Sequence, residues 1–340
     1  MLTNRDGIHY RFPGPFFRAR CAIALALVVA MPAAAEWHHQ QHDLMGTRIT
    51  IDLWQDDAAE AARCGERIVA EMQRIEALMS TYRDDSEITR INNDAAAEWV
   101  DISSEMAHLI ERSIYFSKLS GGVFDITYAS IGYAYDYRAH VQPSDATVAE
   151  KLPAIDYRHI ELDGNRIRFA RPGVRIDLGG IAKGYAVDRS IGIARDCGIS
   201  RAMISAGGDS RIIGDRGGRP WMIGIRNPRD ESGIALRLPL SDSAISTSGD
   251  YERFFIADGK RVHHIIDPQT GRSAEASWSA SVIGPDAMTT DALSTTIFIM
   301  GATDGLALIE SLEGFDAIVI DSGGKVHYSS GFQVPEAAQQ

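Results

Sequence analysis

Apolar positions along this chain repeat in two rhythms, and each change of rhythm falls at glycine, serine, aspartate or proline. Ile49, Ile51 and Leu53 alternate with polar neighbours, so residues 42–54 predict a half-buried strand around a bend at Met45, Gly46 and Thr47. Ile68, Met72, Ile75 and Met79 fall on one helical face, and residues 56–80 predict a long amphipathic helix packed on a sheet. The polar, aromatic stretch 80–93 reads as an ordered loop with a short helix. Ser103 or Ser104 caps a second helix that runs to Ser120, where Gly121 and Gly122 end it. A tyrosine-rich irregular stretch, 128–137, precedes a hairpin about Asp163, Gly164 and Asn165. Val174, Ile176 and Leu178 then alternate as a strand, Gly179 and Gly180 break it, and a helix follows to Cys197 with Gly198 as its stop.

The second half is strand-rich. Short strands are predicted at 202–206, 211–214, 221–226, 234–238 and 244–247. A hairpin turns at Asp258 and Gly259, and its return strand ends in a turn at 267–271 that Pro268 and Gly271 dictate. A strand at 279–284 leads to a helix opening at Thr289 and running to Gly301, and a last hairpin turns at 322–324. Strand runs with a few packed helices place the chain in the α+β class, with mixed, largely antiparallel sheets.

Composition changes the picture at one end. A basic leader (Arg5, Arg11, Arg18, Arg20) precedes the apolar run 21–31 and then Ala33, Ala34 and Ala35, the pattern of a secretory signal peptide cut after Ala35. Residues 36–340 are then one exported, periplasmic domain, with no repeat or low-complexity linker. Cys21 lacks the context of a lipid anchor. The leader holds four basic residues and one acidic one, so without it the net charge moves from −12 to −15, a surface ill-suited to nucleic acid. Of the remaining cysteines, Cys64 and Cys197, nothing in the spacing requires pairing, and two buried thiols are the favoured state.

Candidate chemistry gathers at residues 175–188. A strand that breaks at Gly179 and Gly180 and resumes as a helix offers backbone amides and a positive helix end to a phosphate, and Lys183 adds a full charge. The spacing is neither a Walker loop nor GxGxxG, so a tightly packed glycine turn is an equal alternative. Tyr82 could stack on a flat ring, or pack at a core edge. Asp125, just past a glycine corner, could merely satisfy backbone amides. His263 and His264 point to opposite faces of a strand, so at most one faces a given site. Asp291 and Thr295 share one helix face and suit a hard cation in a surface cleft, although Thr290 as N-cap with Asp291 answering the helix dipole would explain the acid equally.

In order along the chain, MGT from Met45, ITRINN behind Tyr82, GGVFD ending at Asp125, DLGGIAKGYAVD from Asp177, SAGGD from Ser205, HIIDPQTG from His264 and TDALSTT from Thr290 together resemble the ApbE family of flavin transferases. The likeness spans essentially the whole segment after the leader. It implies a T-fold-related architecture and transfer of FMN from FAD to a Thr or Ser hydroxyl of an exported acceptor flavoprotein, with Mg²⁺. It further implies FAD contacts from Met45, Tyr82, Val123, Phe124, Asp125, Asp177, Lys183 and Ile265, and metal contacts from Asp291, Thr295 and a backbone oxygen of Gly180. His264 is the candidate base, with Asp177 second. The chain departs from the family after Asp125, where Ile126 to Tyr133 replace the usual Pro-Thr and Trp-Gly; this bears on the pocket or acceptor rim and not on the metal chemistry. A homodimer is left open, as is FAD hydrolysis or flavin delivery without transfer.

Overall fold

The computed structural model describes residues 35–332, so the expected leader lies outside the described residues except for Ala35. β1 (Glu36–Leu44) and β2 (Thr47–Gln55) form a hairpin whose two-residue turn places both Met45 and Gly46 at positive φ, 54° and 67°. Ile49, Ile51 and Leu53 are its buried face, as the alternation requires. α1 (Ala58–Met79), capped by Asp57, lays Ile68, Met72, Ile75 and Met79 into the core. α2 (Glu87–Asp94) and α3 (Ser104–Leu119) start at the serine caps Ser86 and Ser103, with the short β3 (Val100–Asp101) between them.

The tyrosine-rich stretch winds into the short helical turn α4 (Ala129–Gly132), and α5 (Asp145–Lys151) follows it. Ile131, Tyr135, Val148, Phe255, Val262 and Ile266 there make a small core of their own beside the main one. β4 (Ile160–Asp163) and β5 (Arg166–Phe169) form the expected hairpin and, with β3, a small sheet. Residues 174–178 join no sheet, contrary to the strand expected from their alternation. Asn92 takes the place of a neighbouring strand: its side chain accepts from Ile176 N–H at 2.7 Å and donates to Ile176 C=O at 2.9 Å.

α6 (Ala182–Asp196) leads to β6 (Ala202–Ala206), β7 (Asp209–Ile213), the long hairpin β8 (Trp221–Asn227) and β9 (Asp230–Leu240), and β10 (Ala244–Gly249). β11 (Phe254–Ala257) with β12 (Lys260–His263), and β13 (Ile266–Asp267) with β14 (Arg272–Ser273), are separate small hairpins. β15 (Ser277–Gly284), α7 (Ala287–Met300), α8 (Ala302–Glu310), β16 (Asp316–Asp321) and β17 (Val326–Tyr328) close the chain. The central sheet has eight strands in the order β1-β2-β6-β7-β10-β15-β16-β17, and every pairing in it is antiparallel. α6 and α7 lie on one face of that sheet.

The other face is polar and roofed by β8 and β9. Between them is a cavity of about 800 Å³, lined by Arg48, Thr50, Ser205, Ser210 and Thr247 of the sheet. Each of these alternates with a neighbour that points at the helices: Ser246 and Ser248 hydrogen-bond Thr290 and Ser294 of α7. Cys64 of α1 and Cys197 at the end of α6 are joined in a disulfide, with Cα atoms 6.1 Å apart. This corrects the expectation of two free thiols. The helix packing, invisible in sequence spacing, is what brings them together.

Candidate active site at the start of α6

The turn before α6 is built from local groups. Asp177 N–H donates to Ile126 C=O at 3.0 Å, and the Asp177 carboxylate accepts from Gly179 N–H at 2.6 Å and from Thr81 Oγ1 at 3.0 Å. The Tyr128 phenol stands near the same carboxylate, and burial followed by the charge of Asp177 raises it well above the ordinary value. Asp177 therefore has two donors on its carboxylate. Beside it, the Tyr82 side chain is 87% exposed, free to stack on a flat ring.

α1, α2, α3 and α7 begin with side-chain caps at Asp57, Ser86, Ser103 and Asp286, whereas α6 begins at Ile181 with none. Its second residue, Lys183, runs to Asp209, with which it forms a close ion pair, and lies 3.8 Å from Asp291. Burial alone would lower this ammonium, but Asp209 and then Asp291 hold it above its ordinary value. Lys183 has one near partner and two acids to serve. Asp291 is the acid left over: burial and then the charge of Asp209 push it up to about 7, against the pull of Lys183 and of the Gly184 N–H at 3.0 Å.

Asp291 is only 2% exposed, so it sits inside the protein and not in the surface cleft expected. Nor does it answer a helix dipole next to a Thr290 cap. α7 starts earlier, at Ala287, where Asp286 caps Thr289 N–H at 2.8 Å and Asp188 accepts from Ala287 N–H and Met288 N–H. Asp291 is freed from capping its own helix and accepts instead from Gly184 N–H in the first turn of α6. One turn on, Thr295 Oγ1 is 3.2 Å from Ser248 Oγ, and it lies 3.5 Å from where a Cβ on Gly180 would stand. Gly180, Asp291 and Thr295 are thus brought together, with Phe124 closing the wall at 3.3 Å from the same Gly180 position.

The glycines divide the work. A Cβ on Gly184 would fall 2.1 Å from Ala287 C=O, so this glycine lets α6 and α7 cross at close range. Gly180 leaves room for the Phe124 ring and the Thr295 hydroxyl.

His263 and His264 do face opposite ways. His263 is buried, meets Ala274 C=O through Nε2 at 2.8 Å and stands edge-on to Phe298. His264 turns toward Arg253 and Lys183, its Nδ1 buried and without a partner; burial first, then Arg253, His263 and Lys183, hold it down to about 3. Ile265 is buried beside it. Met45 N–H donates to Glu76 at 2.9 Å at the rim. Asp125 behaves as the plain alternative expects, accepting from Thr127 N–H, Thr127 Oγ1 and Tyr157 N–H, with its carboxyl raised by burial. Val123 and Phe124 lead into that corner, and Phe124 packs edge-on to Phe116.

Sequence reasoning missed Asp209, Thr81 and Arg253. Asp209 stood inside a quoted motif, but its pairing with Lys183 comes from β7 lying under α6. The large cavity meets this region at its rim, through Gly46, Thr47, Glu76, Gly207 and Gly208, and is not lined by Lys183, Asp209, Asp291, Thr295 or His264, so volume does not mark the site; the buried charges do. Among the described residues no cluster of three His, Cys, Asp or Glu side chains could hold a metal, which confines any cation to a carboxylate with neutral oxygens.

The sequence matches the ApbE family over residues 45–319. It is 31% identical to a FAD:protein FMN transferase of Vibrio cholerae, over 91% of this chain and 96% of that protein. It is 32% identical to one of Treponema pallidum, over 85% of each. A crystal structure of the ApbE protein of Thermotoga maritima superposes with a TM-score of 0.81 at 34% identity, covering 88% of this chain and 98% of that one. The flavin transferase ApbE of Vibrio cholerae gives 0.79 at 31% identity, covering 88% and 99%.

Proposed function

This chain belongs to the ApbE family, and from that premise we propose that it is a FAD:protein FMN transferase, acting with Mg²⁺ on a Thr or Ser hydroxyl of an exported protein. The observation that carries the reading is the meeting of Lys183, Asp291, Thr295 and Gly180 at a helix start that has no side-chain cap from its own segment. A carboxylate, a hydroxyl and a main-chain oxygen are hard donors that fit Mg²⁺, and Asp291, raised toward neutrality with a single backbone N–H as its hydrogen-bond donor, is an acid whose charged form a cation would stabilise. Asp291, Thr295 and the Gly180 carbonyl would hold the ion. Bound there, it would neutralise charge on the phosphoryl oxygens and on departing AMP.

The chain's own residues supply the rest. Tyr82 offers a face to the flavin or adenine ring, and Lys183 with the open end of α6 receives the diphosphate. The acceptor oxygen bonds to the FMN phosphorus as the bond from that phosphorus to the AMP oxygen breaks, and AMP leaves with the electron pair. The hydroxyl proton goes to His264, whose Nδ1 has no other partner, while two donors already occupy Asp177. Negative phosphates beside His264 would raise its low basicity toward neutrality. Asp209 keeps Lys183 charged and aimed. The basic, apolar, alanine-ended leader supports action outside the cytoplasm.

AMP release from FAD and Mg²⁺, followed with and without an exported flavoprotein domain, tests the reading. Transfer requires that release depend on the acceptor, and His264→Ala should slow it roughly a hundredfold or more while changing FAD affinity little. AMP and free FMN formed equally fast with no acceptor would make the protein a FAD pyrophosphatase instead.

A further inference from the structure

We propose that Arg253, which no part of the reading above uses, is a substrate-binding residue whose guanidinium grips the diphosphate of FAD together with Lys183. The inference rests on FAD being the substrate. Its starting point is how the other cations of this region are occupied. Arg229 holds Asp250 through two contacts, at 2.8 and 2.7 Å, and lies 3.9 Å over the Trp278 ring. Arg261 reaches the same carboxylate at 3.2 Å and covers Phe254. Arg226 pairs with Glu252 at 3.6 Å and Lys183 with Asp209. Arg253 alone in this group has no ion pair, side-chain hydrogen bond or ring contact among the described residues.

Its place is fixed from both sides. Its C=O accepts from His264 N–H at 3.2 Å, and its Nη2 lies 3.1 Å from where a Cβ on Gly46 would stand. Gly46 thereby leaves the guanidinium open at the rim formed by Met45. The loop carrying it is anchored two ways: Asp250 is buried under its two arginines, and Asp250 N–H donates to Trp278 C=O at 3.1 Å. The charge of Arg253 is felt at both Lys183 and His264. A rigid loop thus holds an uncompensated guanidinium toward an ammonium, in a chain of net charge −12 where carboxylates are plentiful. Repulsion of that kind is relieved by an anion placed between the two cations, and a planar guanidinium is suited to grip phosphate oxygens in pairs.

The experiment is direct titration of FAD, ADP and riboflavin, without acceptor, against the wild-type protein, Arg253→Ala and Arg253→Lys. Arg253→Ala should weaken FAD and ADP in parallel by roughly ten- to a hundredfold, the range for hydrogen bonds to charged groups. Riboflavin, which has no phosphate, should bind as before, Arg253→Lys should recover part of the loss, and the melting temperature should stay put because the side chain is exposed and unpartnered. FAD binding by Arg253→Ala within about twofold of wild type overturns the inference and leaves the transferase reading standing. So does an equal loss of riboflavin, since the effect would then lie away from the diphosphate. A wild-type protein that binds FAD no better than riboflavin overturns both.

Discussion

The two ends of α6 are made by opposite means. At the C-terminal end, Gly198 at φ 76° stops the helix, Ile199 N–H closes back on Ala194 C=O at 2.9 Å, and Cys197 is tied to Cys64 of α1. That end closes on its own chain and on α1. At the N-terminal end the chain's own Ile181 supplies no side-chain cap, a lysine faces two acids, and one of them, Asp291, which accepts from Gly184 N–H in the first turn, comes from a helix more than a hundred residues away. The polar groups at that end are held in place but incompletely compensated. The contrast teaches that a helix end becomes a site when distant segments supply its partners and leave a charge unbalanced, while local closure makes a structural end.

Breaking the functional end should give the largest effect. Asp291→Ala should lose metal-dependent transfer by roughly a thousandfold, the several kcal/mol that a cation supplies. It should fold, because Lys183 keeps Asp209 and one buried like charge is removed; near-unchanged melting with lost turnover checks both halves. Breaking the structural end should do the reverse. Cys64→Ala with Cys197→Ala opens a cross-link spanning 133 residues and should cost up to about 5 kcal/mol on the chain-entropy account, read as a lower denaturation midpoint, with transfer by the folded protein intact.

Gly184→Ala sharpens the comparison because it lies at the functional end yet serves packing. Its new methyl would meet Ala287 C=O, and a loss of about 3 kcal/mol is expected, in melting before it is seen in FAD affinity. The smallest effect is a pH dependence. Asp291 is raised to about 7, so its neutral form is favoured by folding. That stability is complete below the ordinary carboxylate range, about 4, and is lost as pH rises through 7. Metal-free protein should therefore melt lower at pH 8 than at pH 6, Mg²⁺ should remove much of the difference, and Asp291→Asn should flatten it.

Much of this was legible in the sequence. The alternation of Ile49, Ile51 and Leu53, the spacing of Ile68 to Met79, the serine cap at Ser103 and the stop at Gly198 are local signals, and local signals set local structure. The motif order also led to the family, whose model matches residues 45–319. What failed depended on contacts distant in sequence. Residues 174–178 carry a strand's pattern but find the side chain of Asn92 where a strand should be. The cysteine pair, the burial of Asp291 and the partners of Lys183 all follow from α6 packing between α1, α7 and β7, which no spacing encodes. α7 starts at Ala287, two residues before the expected Thr289, because Asp286 and Asp188 both serve its first turn, one of them from another helix.

The measurement that bears most directly on the central claim, that the start of α6 transfers FMN to a protein hydroxyl, is the intact mass of an acceptor domain after incubation with FAD, Mg²⁺ and this protein. The account predicts a gain of FMN less water, one AMP released for each domain modified, and no gain when the target Thr or Ser is replaced by Ala or when the protein carries Asp291→Ala. An acceptor whose mass never changes while AMP and free FMN accumulate would contradict it.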